Sequence, residues 1–394
     1  MVYRKPDGEI VHVAPKPAIV DLDTLSFPDR QVLERALARG LRPAVPVLGS
    51  RGCYAQCLFC NASQFYVEGG GRPWRNRSAG NVAEELSELV RRFDGGTDPV
   101  FLFYDDTFIG PGAKGRRHAR DLAAELIGRE LDIQFETFLR ADTFHDDHGL
   151  IALLRKAGMV RSFMGIEASD DSELKLFRKA VTVAQVRNAL ANLSANRVTT
   201  PASGFIMFFP YSTFDSLKRN AAYLKDLGHA SLWNLSTRLD VYGGNDFLPL
   251  LEQEGLIESS RFFGGYFTYR FRDGRVAAFA DFMDISRDDM VQRLDASSRF
   301  IEFDHHNLLY NIEQMELDRE IPGTGEVPVI LQAMRDSAYR FFMNSLERFE
   351  QGASPDSLCE AKEEFLSGLP MLIDRLELAH GRFLKEVEGM LHHA

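Results

Sequence analysis

Between about residues 45 and 245, short apolar runs alternate with longer amphipathic stretches. Residues 44–48 read as a buried strand, and 81–93 as a helix, because Val82, Leu86, Leu89 and Val90 recur at the helical period. A second strand is expected over 100–104, then a helix over 119–127 and a third strand over 133–138. The helix that follows, 150–156, ends at Gly158, a usual helix stop. A fourth strand over 162–167 leads into helical turns at 171–177 and 183–193. Strands five and six are expected over 203–209 and 232–241, separated by a helix over 214–227.

Repeated strand–helix units imply parallel strands joined by right-handed crossovers. The fold expected is therefore α/β, a partial (β/α)6 TIM-like barrel over residues 45–260, preceded by a linker segment, 1–44. Beyond Gly264 the pattern changes. Residues 266–272, the turn Asp273–Gly274 and residues 276–282 look like a C-terminal β-hairpin. Helical segments near 287–310, 327–350 and 355–391 then make 261–394 a hairpin plus mainly helical extension, long enough to cover the barrel mouth.

With 394 residues the chain can bury a large core, and its mean hydropathy of −0.20 reads as soluble. No apolar run suits a membrane span, and the N-terminus lacks a signal core. Four cysteines make no disulfide framework, which points to the cytoplasm. A net charge of −11 disfavours nucleic acid as partner and favours a small-molecule substrate.

Three of those cysteines stand in one octapeptide, Cys53, Cys57 and Cys60, spaced C-x3-C-x2-C after the first strand. Three thiolates on a short loop suit three irons of a [4Fe-4S] cubane and leave the fourth open to a ligand. A structural zinc site wants four closed donors, and zinc or chance clustering is the other reading of these cysteines. Ligands of such a sheet gather at the C-terminal strand ends, where this loop sits. The remaining Cys359 and the pairs His305–His306 and His392–His393 carry no ligand pattern, since neighbours on a helix point apart.

The spacing is that of the radical S-adenosylmethionine (radical SAM) enzymes, and this chain resembles them over about residues 1 to 260. The sequences Asp105-Asp106-Thr-Phe108, 19–30 and Trp74-Arg-Asn-Arg-Ser78 are similar to the cobalamin-associated branch of that family. The chain starts almost at the linker that follows the cobalamin domain in those relatives, so cobalamin-free chemistry is expected, or cobalamin supplied by another protein. The resemblance implies a [4Fe-4S] cluster on the three cysteines, and SAM cleaved by one electron from a donor such as flavodoxin or ferredoxin. The 5′-deoxyadenosyl radical so formed takes hydrogen from the substrate. A tailoring step on a natural product, a sugar or a nucleoside, is the preferred class. A cobalamin-dependent methylase and a non-enzymatic iron–sulfur or zinc protein are the alternatives.

The resemblance also assigns contacts. Phe59 would meet the adenine of SAM. Asp105 or Asp106 would accept from its ammonium, or else cap a helix. Arg140 would pair with a carboxylate of SAM or substrate, or with Asp142 at the rim. Glu167, at the end of strand four, would hold the ribose or the amino-acid part of SAM, and if buried it needs a ligand or a basic neighbour. Lys179 would hold the SAM carboxylate, or lie on the surface. Tyr211, Trp233, Asn234 and Tyr242 would line a substrate pocket, or pack. No catalytic residue is assigned.

Overall fold

The computed structural model describes the chain except residues 1, 13–17, 40–43, 69–70, 94–99, 202, 262–265, 285–288, 315–324 and 392–394. Its centre is a five-stranded parallel sheet in simple sequential order. The strands are β1 (Val45–Val47), β2 (Val100–Phe103), β3 (Gln134–Leu139), β4 (Met159–Glu167) and β5 (Ser203–Phe205). Helices Ala79–Phe93, Gly112–Gly128, His148–Lys156, Val183–Ala195 and Phe214–Asp226 connect or follow them. The strand–helix alternation read from the apolar pattern thus holds across the barrel.

Burial explains which face points where. Along β3, Phe135, Thr137 and Leu139 are buried, while Gln134, Glu136 and Phe138 are half-buried. Of these, Phe135 and Leu139 pack with Phe101, Phe103, Leu122 and Ala123 into the core cluster between sheet and helices. The other face is the concave wall of the barrel, where Tyr104, Phe138 and Phe163 stand ring to ring at 6.1 and 5.4 Å. In a closed barrel such inward side chains fill the lumen in layers. Here Tyr104 and Leu48 are exposed, so the upper wall is left open to a ligand.

The sixth position is narrower than expected. Only Thr237–Leu239 pairs there: Phe208 N–H donates to Thr237 O at 3.0 Å, and Leu239 N–H to Phe208 O at 2.8 Å. Residues 232–236, expected in strand six, form a short helix, because Ser231 caps it and Leu232 and Leu235 share one buried helical face. The hairpin also moves. Tyr266–Tyr269 does pair antiparallel, but with the preceding Ile257–Arg261 and with Val241–Tyr242. Residues 274–282 are a helix, since the Asp273 carboxylate accepts from Arg275 N–H as a cap rather than serving a two-residue turn. Val276, Phe279 and Ala280 supply its buried stripe at helical spacing.

The extension consists mainly of helices Asp289–Gln314, Glu326–Glu350 and Cys359–Leu391. These helices pack under the barrel and against its open side, while Tyr266–Tyr269 joins the rim strand Val241–Tyr242. Arg155, at the end of the helix before β4, donates to Asn307 at 3.1 Å. Arg161, near the start of β4, lies 5.0 Å from the ring of Phe303. Helix Glu326–Glu350 runs beside Phe214–Asp226, tied by Lys218 to Glu350 at 2.6 Å. Phe342 packs between Phe208 of the barrel and Phe279, at 6.3 and 5.2 Å. One core cluster therefore contains residues of both barrel and extension.

Phe342 is fully buried at that junction. Phe342→Ala is expected to remove about 3–5 kcal/mol of stability. Urea unfolding followed by far-ultraviolet circular dichroism and by tryptophan emission should still give coincident transitions, both shifted. A split between the two probes would show that barrel and extension unfold separately.

Candidate active site

The octapeptide follows β1 through Gly49 and the short strand Ser50–Gly52, which pairs antiparallel with Trp74–Asn76. Gly52 has φ of +88°, and a Cβ there would run into the carbonyl of Pro73, so only glycine turns the chain into the cysteines. The loop itself is irregular, and several of its backbone polar groups and those at its entry find partners on other elements. Gly49 N–H donates to Asp105 Oδ2 at 3.2 Å, and Gly52 N–H to Asp106 Oδ2 at 2.9 Å. Leu58 N–H donates to Phe177 O at 2.8 Å, and Asn245 Nδ2 to Phe59 O at 3.3 Å. Gln64 and Arg178 both reach Asp246, at 2.7 and 2.6 Å. The Gly-Gly-Asn-Asp stretch after the sixth strand position is thus a clamp on the cysteine loop. Its sequence marked only a glycine-rich turn.

Cys53 and Cys57 are buried and Cys60 is half-buried. Burial pushes the Cys53 and Cys60 thiols up, the Ala55 and Ala62 amides respectively pulling them back. Thiolates in such a place need cationic charge beside them. Among the described residues, no three His, Cys, Asp or Glu side chains converge to hold a single metal ion. The C-x3-C-x2-C spacing in the sequence suits a cubane, on which each cysteine takes its own iron. A cleft of about 540 Å³ opens against Cys57 and Cys60, bordered by Tyr54, Gln64 and Asn245. Cys359 is exposed on the extension, its thiol 3.6 Å from Pro355 O.

The two aspartates separate. Asp105 is buried, and burial pushes its carboxyl up to about 7 against the pull of Ser50 and Gly49. Among the described residues its Oδ1 has no hydrogen-bond partner. Neither aspartate caps a helix; both grip the entry to the cysteine loop. Asp106 remains exposed while it does so, which leaves its carboxylate accessible from the mouth.

Arg140 is engaged at every guanidinium nitrogen. Nε donates to Asp142 at 3.0 Å, Nη2 to Lys179 O at 2.8 Å, and Nη1 to the Cys57 sulfur at 3.5 Å. Burial works against its charge, but Asp142, Cys57 and Tyr54 outweigh it and raise its pKa. The rim pairing with Asp142 is therefore the arrangement formed.

Glu167 and Lys179 meet each other. The ammonium lies 2.6 Å from Glu167 Oε1, and both side chains are nine-tenths buried. The basic neighbour expected of a buried Glu167 is Lys179, which is not a surface lysine. Room for the pair comes from Gly165, where a Cβ would strike both charged groups. Glu167 itself adopts φ of +67°, and Arg178 and Ala180 on either side of Lys179 are also left-handed, at +50° and +57°. Three such non-glycine residues around one ion pair mark a strained, over-determined spot.

Phe59 packs edge-on against Phe177 at 5.7 Å, and Phe177 in turn against Phe209 at 5.1 Å. Tyr211 continues that aromatic ladder beside Phe247, its hydroxyl donating to Glu254 at 3.1 Å. Tyr242 is exposed at the same rim, bonded to Asp240. The other two pocket candidates lie elsewhere. Asn234 is buried and donates to Ser203 Oγ and His229 O, below the start of β5. Trp233 faces the extension, with Arg299 5.9 Å from its ring. Both fall in the helix that replaces the expected strand, which turns them away from the mouth.

Comparison with known proteins adds three findings. Residues 47–224 match the radical SAM superfamily profile. The chain is 29% identical over 230 residues to an anaerobic magnesium-protoporphyrin IX monomethyl ester cyclase of Rubrivivax gelatinosus, covering 57% of this chain and 39% of that protein. It is 28% identical over 226 residues to an uncharacterized methyltransferase of Pyrococcus horikoshii, covering 57% and 46%. The chain thus spans less than half the length of these curated relatives. A solved structure of the cobalamin-dependent S-adenosylmethionine radical enzyme OxsB superposes with a TM-score of 0.65 at 17% identity, over all of this chain and 61% of that one. That likeness concerns the fold.

Two outcomes are expected from the site's electrostatics. Lys179→Met leaves Glu167 as a buried unpaired charge and should cost about 3–5 kcal/mol in urea denaturation, most of it recovered in the Glu167→Gln/Lys179→Met double variant. A double variant as weak as the single one would deny the pair. Asp105, raised from 3.8 to about 7, contributes stability that is full below pH 4 and lost as pH rises to 7. The urea midpoint of Asp105→Asn should therefore gain on that of the parent protein between pH 4 and 7.5. A gap that does not change with pH would contradict the shift.

Proposed function

The chain carries a radical SAM domain, residues 47–224, and on that premise we propose that it uses SAM beside a [4Fe-4S] cluster on Cys53, Cys57 and Cys60 to start radical chemistry on a small-molecule substrate. When bound, the cluster and SAM supply one-electron cleavage of a sulfonium bond and a group able to take hydrogen from carbon. The protein's own work is to position and to exclude water. The octapeptide lies on a loop fixed by Asp105, Asp106, Phe177 and Asn245. Asp106, exposed at the rim, is the carboxylate assigned to the SAM ammonium. The Glu167–Lys179 pair stands ready for its amino-acid or ribose part, and Phe59 for its adenine. Tyr104, Phe138 and Phe163 form the wall against which a ring-bearing substrate would lie.

The observation that carries this reading is the cysteine loop: Cys53, Cys57 and Cys60 in C-x3-C-x2-C spacing, within the stretch that matches the radical SAM profile and beside an open cleft. We assign the substrate to natural-product tailoring, a sugar or nucleoside among the candidates, with Tyr211 and Tyr242 at the pocket rim. The acidic charge supports this over nucleic acid. An external donor, flavodoxin or ferredoxin, would supply the electron, and a reducing cytoplasm suits the thiols. Among the described residues no helix is long and apolar enough to cross a membrane. The similarity to a methyltransferase supports a second reading, cobalamin-dependent methylation. Methyl transfer stimulated by added cobalamin would distinguish it.

Anaerobic reconstitution with iron and sulfide, then reduction with SAM, should yield 5′-deoxyadenosine by chromatography. Cys57→Ala should yield none. A parent protein that holds cluster and SAM yet makes no 5′-deoxyadenosine would defeat the reading.

A further inference from the structure

The set Tyr54, Asp142 and Arg140 has a chemistry of its own. The Arg140 side chain is 7% exposed and reaches the sulfur of Cys57 at 3.5 Å through Nη1. Its Nε is 3.0 Å from Asp142 Oδ1, and the other carboxylate oxygen accepts from the Tyr54 hydroxyl at 2.8 Å. The guanidinium carbon lies 5.4 Å from the Tyr54 ring centroid, and Nη2 is tied to Lys179 O. A guanidinium fixed at three nitrogens would have to break all three contacts to swing toward a diffusing carboxylate. It is instead aimed, by a rigid fork, at one ligand sulfur.

Hydrogen bonds to the sulfurs and the charge around them set the reduction potential of an iron–sulfur cluster, and groups that hold a ligand in place tune it. We propose that Arg140 is a positioning residue that raises the reduction potential of the cluster bound through Cys57, with Asp142 as the opposing charge and Tyr54 as the clamp on Asp142. The inference rests on the cluster assignment above. A cation at the sulfur favours the extra electron of the reduced cluster. The carboxylate 3.0 Å from the cation opposes it. Removing one or the other must therefore move the potential in opposite directions, which loss of packing would not do.

The test uses the full chain, reconstituted anaerobically, with iron and sulfide counted and the midpoint read by a redox titration followed by electron paramagnetic resonance. Arg140→Gln should lower the reduced-to-oxidised ratio at fixed poise about tenfold, about 59 mV for one electron. Arg140→Lys, which keeps the charge, should stay within about threefold of the parent by the same conversion. Asp142→Asn should move the ratio the other way. Shifts of the same sign in Arg140→Gln and Asp142→Asn, or no shift in either at full iron content, would overturn the proposal. If Arg140→Gln fails to retain iron, Asp142→Asn decides alone: a rise supports the role, and a fall or no change refutes it. A parent chain that loads no cluster overturns both this inference and the function it rests on, whereas a loaded chain with unsplit potentials overturns only the inference.

Discussion

An irregular loop that carries two buried cysteines and a half-buried one has backbone donors that no sheet or helix of its own can satisfy, and leaving each unmade would cost about 1–3 kcal/mol. The fold meets that constraint with acceptors from distant elements. The carboxylates of Asp105 and Asp106 take the amides of Gly49 and Gly52 from the end of β2. The carbonyl of Phe177 takes the amide of Leu58 from beyond β4. Asn245 and Asp246, past the sixth strand position, close the other side. The loop's geometry is therefore dictated by the ends of several strands, and through them by the core.

Those strand ends are themselves linked. A continuous polar path runs from Tyr54 through Asp142 and Arg140 to the carbonyl of Lys179, and from the Lys179 ammonium to Glu167 in the space left by Gly165. Polar groups strung together in a low-dielectric site reinforce one another when every member is satisfied. The left-handed backbone at Glu167, Arg178 and Ala180 shows what the arrangement costs locally. The described long helices of the extension pack under the strand starts and along the open flank, where they support the barrel.

Most of this architecture was legible from periodicity. The helices over 79–93, 148–156 and 214–226 and the strands at 100, 134 and 159 fall close to where their apolar patterns predict. So do the cysteines at a C-terminal strand end. What escaped was decided by tertiary contact. Leu232 and Leu235 fit a strand or one turn of helix, and Ser231 as a cap settles it, carrying Trp233 and Asn234 away from the mouth. Asp273–Gly274 reads as a turn, yet an aspartate before a helical stripe is also a cap. The partners of Arg140 stand across strands 83 residues away in the case of Cys57, and no local pattern encodes such a pairing.

The central claim is that Cys53, Cys57 and Cys60 hold a cubane with one iron open to SAM. The most direct measurement is electron paramagnetic resonance of the reconstituted, reduced protein, recorded with and without SAM. The account predicts the signal of a four-iron cluster whose g-values shift when SAM is added. A cluster spectrum unchanged by saturating SAM, or a protein that binds one zinc and no iron, would contradict it.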